Sequence, residues 1–354
     1  MISVGLPYEV GPIRPPSEAA SLLIRATRNC PWNKCEFCPT YKGTRFERRP
    51  LEDVLADIDR AAEYHGDVFQ TAFLQDANSL VMKTGDLVQV LSRLKERFPS
   101  VRRVTSYARA RTVARKSVEE LRQLHEVGLS RLHVGLESGY DPLLEYMKKG
   151  VTSDLVVEGG TKVVESGISL CLYVVLGLGG RLRLAGEETW RKHALHTARV
   201  LNEVNPDYIR VRTLTIKQGM PLYDRLVSGD FEESSDEEKV MEEQLLIQSL
   251  EVSSYFASDH STNILMDVRG QLPENKEAML SIMARYLQLS EEERVNFRLG
   301  TLFRYFGYEP NYRSFEDFLL PARREAVTAV MENLEQEQPG RSTQLVSEFN
   351  RKLI

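Results

Sequence analysis

Leu22-Leu23-Ile24-Arg25 leads, after a short spacer, into Cys30-Pro31-Trp32-Asn33-Lys34-Cys35-Glu36-Phe37-Cys38. The apolar run ending at Ile24 reads as a buried strand. Three of the chain's four cysteines then fall within nine residues. Helical periodicity resumes only at Leu51, so the thiols sit on a loop just beyond a strand end. Thiolates bind soft metals and iron–sulfur clusters. A structural zinc site needs four ligands, and the remaining cysteine, Cys171, falls inside an apolar strand-like run where a small buried residue belongs. Three ligands on a four-iron cluster would leave one iron open, as a reactive site requires.

Outward from that loop, strand-like and helix-like stretches alternate. Strands are expected over 22–25, 71–74, 103–106, 131–136, 169–175 and 207–214. Helices are expected over 51–64, 86–98, from Ser117 onward, 142–149, 153–166 and 188–203. Ser117 and Glu120 have capping-box spacing. Strands alternating with helices imply parallel pairing and right-handed crossovers. A full or partial barrel and an open doubly wound sheet both satisfy this. In either, functional loops lie at the carboxyl ends of the strands.

The 354 residues divide into an arm over 1–19, an α/β region over 20–222, an acidic linker over 223–239 and a mostly α-helical region over 240–354. Helices are expected there at 237–252, 274–288, 291–306, 315–337 and 342–352. The clustered cysteines do not form a secreted disulfide framework and fit a reducing cytoplasm. The amino terminus lacks a basic segment followed by an apolar core, so no signal peptide is expected. The longest apolar run, 168–178, is too short to span a bilayer. A net charge of -5 gives no electrostatic reason to expect non-specific nucleic-acid binding, though it leaves room for a local basic groove, and a small-molecule substrate is expected over nucleic acid.

The three cysteines, with Phe37 just before the last, resemble the signature of radical SAM enzymes, with one extra residue between Cys30 and Cys35. His133-Val-Gly-Leu-Glu-Ser-Gly139 and Met147-Lys-Lys-Gly150 are similar to the coproporphyrinogen-dehydrogenase-like and Elp3-like branch. The resemblance implies a partial (β/α)6 TIM-like barrel followed by the helical region. It also implies one [4Fe-4S] cluster on Cys30, Cys35 and Cys38, and S-adenosyl-L-methionine (SAM) on its open iron. A one-electron donor such as flavodoxin or ferredoxin would drive cleavage of SAM to a 5'-deoxyadenosyl radical that takes hydrogen from substrate. A methyl- or methylthio-transferase is the alternative within the family. A non-enzymatic iron–sulfur or zinc electron-transfer module is the alternative outside it.

The same resemblance assigns roles at the strand ends. Phe37 lies near the adenine. Asp76 and Asn78 accept from the SAM amino group, unless they only cap a turn. Arg109, with Arg111 second, meets a carboxylate, unless both are a solvated basic turn. Glu137 binds the ribose hydroxyls and Lys149 the SAM carboxylate; a cap or ion pair is the alternative for Glu137. Tyr173 and Val175 back the adenine. By strand periodicity Arg210 and Arg212 point the same way, and Arg212 is a candidate to meet an anionic substrate if it faces the barrel, or plain surface charge if it faces out; Asp259 and His260 are further candidates for substrate, with Asp259 orienting His260. The competing reading of the last pair is a helix-capping loop. The helical tail and the proline-rich arm are expected to help cover the barrel mouth.

Overall fold

The computed structural model describes residues 5–353. Contacts divide the chain into two compact units, Met1–Tyr173 with Glu203–Tyr208, and Val174–Asn202 with Ile209–Ile354.

The first unit runs β1 (Leu22–Arg25), α1 (Leu51–His65), β2 (Thr71–Gln75), α2 (Thr84–Arg97), β3 (Arg103–Ala108), α3 (Ala110–Ala114), α4 (Val118–Glu126), β4 (Leu129–Glu137), α5 (Asp141–Tyr146) and α6 (Ser153–Glu165). β1 pairs in parallel with β2, β2 with β3, and β3 with β4. β5 (Ser169–Leu176) begins in this unit and ends in the second. α7 (Thr189–Val204), β6 (Tyr208–Thr213) and α8 (Pro221–Ser228) complete six successive strand–helix repeats. The protein is therefore α/β, with the alternation of a partial (β/α)6 barrel.

Apolar periodicity explains these elements. Val54, Ile58 and Ala61 bury one stripe of α1, and Leu87, Val90, Leu91 and Leu94 one stripe of α2. In β1, Leu22 and Ile24 are buried while the alternate positions are partly exposed. Phe73, Tyr107, His133 and Tyr173, one from each of four successive strands, make a row of ring contacts with centroids 5.0, 5.9 and 5.9 Å apart. The Ser117–Glu120 capping box forms at the start of α4.

The arm is tied down within this unit. Residues 1–4 lie outside the described residues. Gln75 accepts from the Gly11 amide at 2.8 Å and donates to the Ile13 carbonyl at 2.7 Å. Glu9 pairs with Arg25 at 2.9 Å and Arg28 at 2.6 Å.

In the second unit, the Leu214 amide, just past the end of β6, donates to the carbonyl of Leu176, the last residue of β5, at 2.9 Å. α9 (Asp236–Gln248) starts at a Ser235–Glu238 capping box. The stretch 223–239, expected as a linker, thus contains most of α8 and the start of α9. β7 (Tyr255–Ala257) and β8 (Arg269–Gln271) form an antiparallel pair absent from the sequence expectation, each too short to show a period. α10 (Lys276–Leu287), α11 (Glu291–Phe306), α12 (Phe315–Leu319), α13 (Pro321–Glu337) and α14 (Arg341–Lys352) follow. The single helix expected over 315–337 is two, because Pro321 opens a new helix at its first turn. Leu299, Leu302, Phe303, Met331, Phe349 and Leu353 form a core among α11, α13 and α14.

Candidate functional site

The cysteine loop is bracketed by Thr27–Arg28, which pairs antiparallel with Glu47–Arg48. Cys30, Cys35 and Cys38 are free and partly exposed, whereas Cys171 is buried. Asn29 and Asn33 take left-handed backbone conformations, with φ of 65° and 47°, which asparagine tolerates better than most residues. Asn33 donates to the Tyr41 carbonyl, and Lys42 donates to the carbonyls of Asn33 at 3.1 Å and Cys35 at 2.8 Å. The loop is thereby closed on itself.

Asp76, just past β2, anchors that loop. Its fully buried carboxylate accepts from Arg25 Nη2 at 2.7 Å and Nε at 3.1 Å, from the Asn29 amide at 3.3 Å and from the Tyr41 hydroxyl at 2.5 Å. Burial and the adjoining carboxylate hold the Tyr41 hydroxyl protonated far above its ordinary range. Asn78 accepts from the Arg109 amide at 3.1 Å and donates to Thr112 Oγ1 at 2.8 Å, fixing the start of α3. Both side chains thus sit at the expected strand end and are engaged by the protein itself.

The end of β4 is built differently. Glu137 has φ of 63°, a left-handed conformation that costs a non-glycine residue about 1–2 kcal/mol. Its Oε1 accepts from Lys149 Nζ at 2.5 Å. Gly135 makes room for this pair: a Cβ there would overlap Glu137 Oε1 and lie 2.8 Å from Lys149 Nζ. Burial works against the Lys149 ammonium, but Glu137 and the Cys35 thiol outweigh it and raise its pKa. Lys149 Nζ also lies 5.9 Å from the centre of the Phe37 ring.

Lys149 belongs to a turn whose four successive carbonyls are all captured. The Met147 carbonyl takes the Glu36 amide at 3.0 Å. The Lys148 carbonyl takes Trp32 Nε1 at 2.7 Å, the Lys149 carbonyl takes Arg109 Nη2 at 3.1 Å, and the Gly150 carbonyl takes Arg111 Nε at 3.2 Å. Burial pushes the Cys35 thiol up, while Lys149 and Arg109 pull it back toward the thiolate. Burial lowers the Arg109 pKa, opposed by Cys30 and Cys35. Cys30, Cys35, Cys38, Arg109, Glu137 and Lys149 therefore share one electrostatic neighbourhood. Tyr173, expected near adenine, is buried in the aromatic row, its hydroxyl 3.4 Å from His133 Nδ1.

In the second unit, the Val175 carbonyl accepts from His193 Nε2 at 3.1 Å, if that nitrogen carries the proton. Asp259 pairs with Arg210 Nη1 at 3.4 Å, and His260 Nδ1 lies 2.8 Å from Thr262 Oγ1. The expected Asp259–His260 pairing is thus replaced: Asp259 meets a fixed cation rather than its chain neighbour. Burial, then Arg212 and Arg210, depress His260 to about 4. Asn263 accepts from the Thr213 amide at 2.7 Å and donates to the Val211 carbonyl at 2.9 Å, tying this loop to β6.

Residues 24–182 match the model of the radical SAM superfamily. That stretch is a radical SAM domain. It contains every candidate of the first unit, from Cys30 to Tyr173. No curated protein sequence is significantly similar to the chain. Solved structures similar to it include the radical S-adenosylmethionine methyltransferase TsrM from Kitasatospora setae, at 16% identity and TM-score 0.46, covering 58% of this chain and 36% of that one. Methylornithine synthase aligns at 17% identity and TM-score 0.44, covering 65% and 62%. Coproporphyrinogen III oxidase from Escherichia coli aligns at 16% identity and TM-score 0.48, covering 62% and 50%. The chain thus spans less than two thirds of the length of each of these.

The radical SAM family uses a [4Fe-4S] cluster and SAM, and the donor set of this domain suits them. Three thiols lie on one loop beside two cations, Arg109 and Lys149. Among the described residues no three His, Cys, Asp or Glu side chains converge to hold a single metal ion. Trp32, Glu36, Gly135 and Gly150 are parts of the site that motif reading missed. The glycines beside Glu137 and Lys149 were the available signal. Among the described residues no helix is long and apolar enough to cross a membrane.

Proposed function

We propose that this chain is a radical SAM enzyme that holds one [4Fe-4S] cluster on Cys30, Cys35 and Cys38 and binds SAM between Arg109, Glu137 and Lys149. The observation that carries this reading is the gathering of Glu137, Lys149 and Arg109 around the three thiols, on three separately anchored backbone segments. A carrier of electrons alone has no use for a carboxylate and two cations held in this way. The bound cluster and SAM would supply a 5'-deoxyadenosyl radical by one-electron cleavage. The chain's own part is to place charge. Lys149 and Arg109 favour thiolates and offer donors to a carboxylate. Glu137 offers acceptors to vicinal hydroxyls. Phe37 gives an apolar face beside Lys149. The substrate is a small molecule in this reading, and the reductant a flavodoxin- or ferredoxin-type protein.

Anaerobic reconstitution followed by EPR with and without SAM tests the proposal. The expected result is a four-iron signal that SAM alters, with 5'-deoxyadenosine released after reduction. Replacing Cys30, Cys35 or Cys38 by alanine should abolish both. A wild-type protein whose cluster signal ignores SAM, or which binds one zinc in place of iron, overturns it. A deuterium-transfer screen into 5'-deoxyadenosine then distinguishes a hydrogen-abstracting oxidoreductase from a transferase.

A further inference from the structure

The four-residue spacer between Cys30 and Cys35 brings Trp32 against the Met147–Gly150 turn. Its indole N–H reaches the Lys148 carbonyl at 2.7 Å. The face of its ring carries two cations, the Lys34 ammonium at 5.1 Å and the Arg109 guanidinium at 5.3 Å. Gly150 has φ of 73°, and a Cβ there would overlap the indole, so the turn must be glycine for the ring to seat. Arg109 closes the circuit by donating to the Lys149 carbonyl at 3.1 Å. One aromatic side chain of the cysteine loop therefore touches both the backbone that carries Lys149 and the guanidinium of Arg109. A second tie runs parallel to it: the Glu36 amide holds the Met147 carbonyl, and the Glu36 carboxylate pairs with Lys148 Nζ at 2.6 Å.

We propose that Trp32 is a positioning residue that orients Arg109 and Lys149 toward the carboxylate of SAM, so that SAM affinity depends on a residue that contacts neither cluster iron nor SAM. The inference rests on the functional reading above. Its physical basis is that a long cationic side chain binds a carboxylate more tightly when its rotamer is already fixed, because less freedom is lost on binding. The indole restricts the Arg109 guanidinium by cation–π contact, and its N–H fixes the backbone from which Lys149 projects. Outer partners that orient a metal's ligands commonly change metal affinity or activity by ten- to a hundredfold, and an effect at the lower end of that range is expected here.

The test uses the full chain with its cluster reconstituted. In Trp32→Ala, iron content should equal that of the wild type. The dissociation constant for SAM, measured by equilibrium dialysis, should rise about tenfold. The KM for SAM should rise with it, while kcat at saturating SAM changes little. Trp32→Phe keeps a ring but not the N–H, so it should fall between the two. As a readout independent of turnover, Trp190→Phe leaves Trp32 as the sole tryptophan, and SAM should then change its emission. Wild-type SAM affinity in a fully loaded Trp32→Ala protein overturns the proposal. So does loss of iron in proportion to loss of SAM binding in both Trp32 variants, which would make Trp32 a support of the cluster loop alone. A wild-type protein whose cluster ignores SAM would instead overturn the broader functional reading, before any variant is compared.

Discussion

Two acidic side chains stand at neighbouring kinds of place, Asp76 just past the end of β2 and Glu137 at the end of β4, and the fold uses them in opposite ways. Asp76 is fully buried and receives four hydrogen bonds from three residues of the cysteine segment. Its acceptor capacity is nearly filled by the protein. Glu137 has one side-chain partner among the described residues, Lys149, and its carboxylate is partly exposed. A saturated carboxylate holds a loop in place. A carboxylate with spare acceptors, held by a single cation in a left-handed backbone, is available to a ligand. The two carboxylates, alike in their place at a strand end, thus differ in how many internal donors they receive.

The largest effect should come from Asp76→Asn. It takes the buried carboxylate away from the Arg25 guanidinium, which then keeps only Glu9 among the described residues, and breaking a buried pair of this kind costs at most about 3 kcal/mol. Thermal unfolding should show a clearly lowered Tm, and iron loading should fall because the cysteine loop loses its anchor. An Asp76→Asn protein with wild-type Tm that fails only in SAM binding would reverse the comparison.

Gly135→Ala comes next. The added methyl collides with the Glu137 carboxylate, and overpacking of this kind costs about 1–3 kcal/mol. The cost should fall on the Glu137–Lys149 geometry. SAM affinity should drop while iron content holds, and unchanged SAM binding would show that this pair is not at the SAM site.

Glu137→Gln is the gentler probe of the same pair. It keeps the shape and one acceptor, so SAM binding should weaken by about 1–2 kcal/mol. The Tm should fall less than in Asp76→Asn. An equal or larger fall in Tm would class Glu137 with Asp76 as a holding residue.

The smallest effect lies in the second unit. His260 is depressed from 6.5 to about 4 by burial and by Arg212 and Arg210. Between those values the unfolded chain takes up a proton that the native protein refuses. This contribution to stability is full above pH 6.5 and is lost as pH falls toward 4. His260→Gln should flatten that part of the stability-versus-pH curve relative to wild type. A difference between the two proteins that does not vary with pH in that window would contradict the assignment.

Much of the first unit was legible in its sequence. Leu22 and Ile24, the 51–65 stripe of Val54 and Ile58, and the Ser117–Glu120 box are local signals read within a few residues, and each forms where expected. The β7–β8 pair was not legible, because three-residue strands carry no period and are defined only by each other. The helix break at Pro321 was readable from proline's missing N–H and its fit to a helix's first turn. At the site, residue types and strand ends pointed to Asp76, Arg109, Glu137 and Lys149. Their partners were out of reach: Tyr41 on Asp76 and Trp32 on Lys148 are joined across 35 and 116 residues.

The sequence by itself determined the alternation of strands and helices, the cluster of thiols on the first strand's loop and the absence of a nearby fourth cysteine. These follow from local periodicity and spacing, which short-range sterics and burial control. Only the tertiary structure decided which partners each strand-end charge has. Whether a carboxylate is saturated, as Asp76 is, or left open, as Glu137 is, depends on donors brought from distant segments by packing. The extra residue between Cys30 and Cys35 shows the same division. Its existence is plain in the sequence, but the contact made within that spacer, Trp32 seated on the Met147–Gly150 turn, exists only where two loops far apart in the chain are folded together.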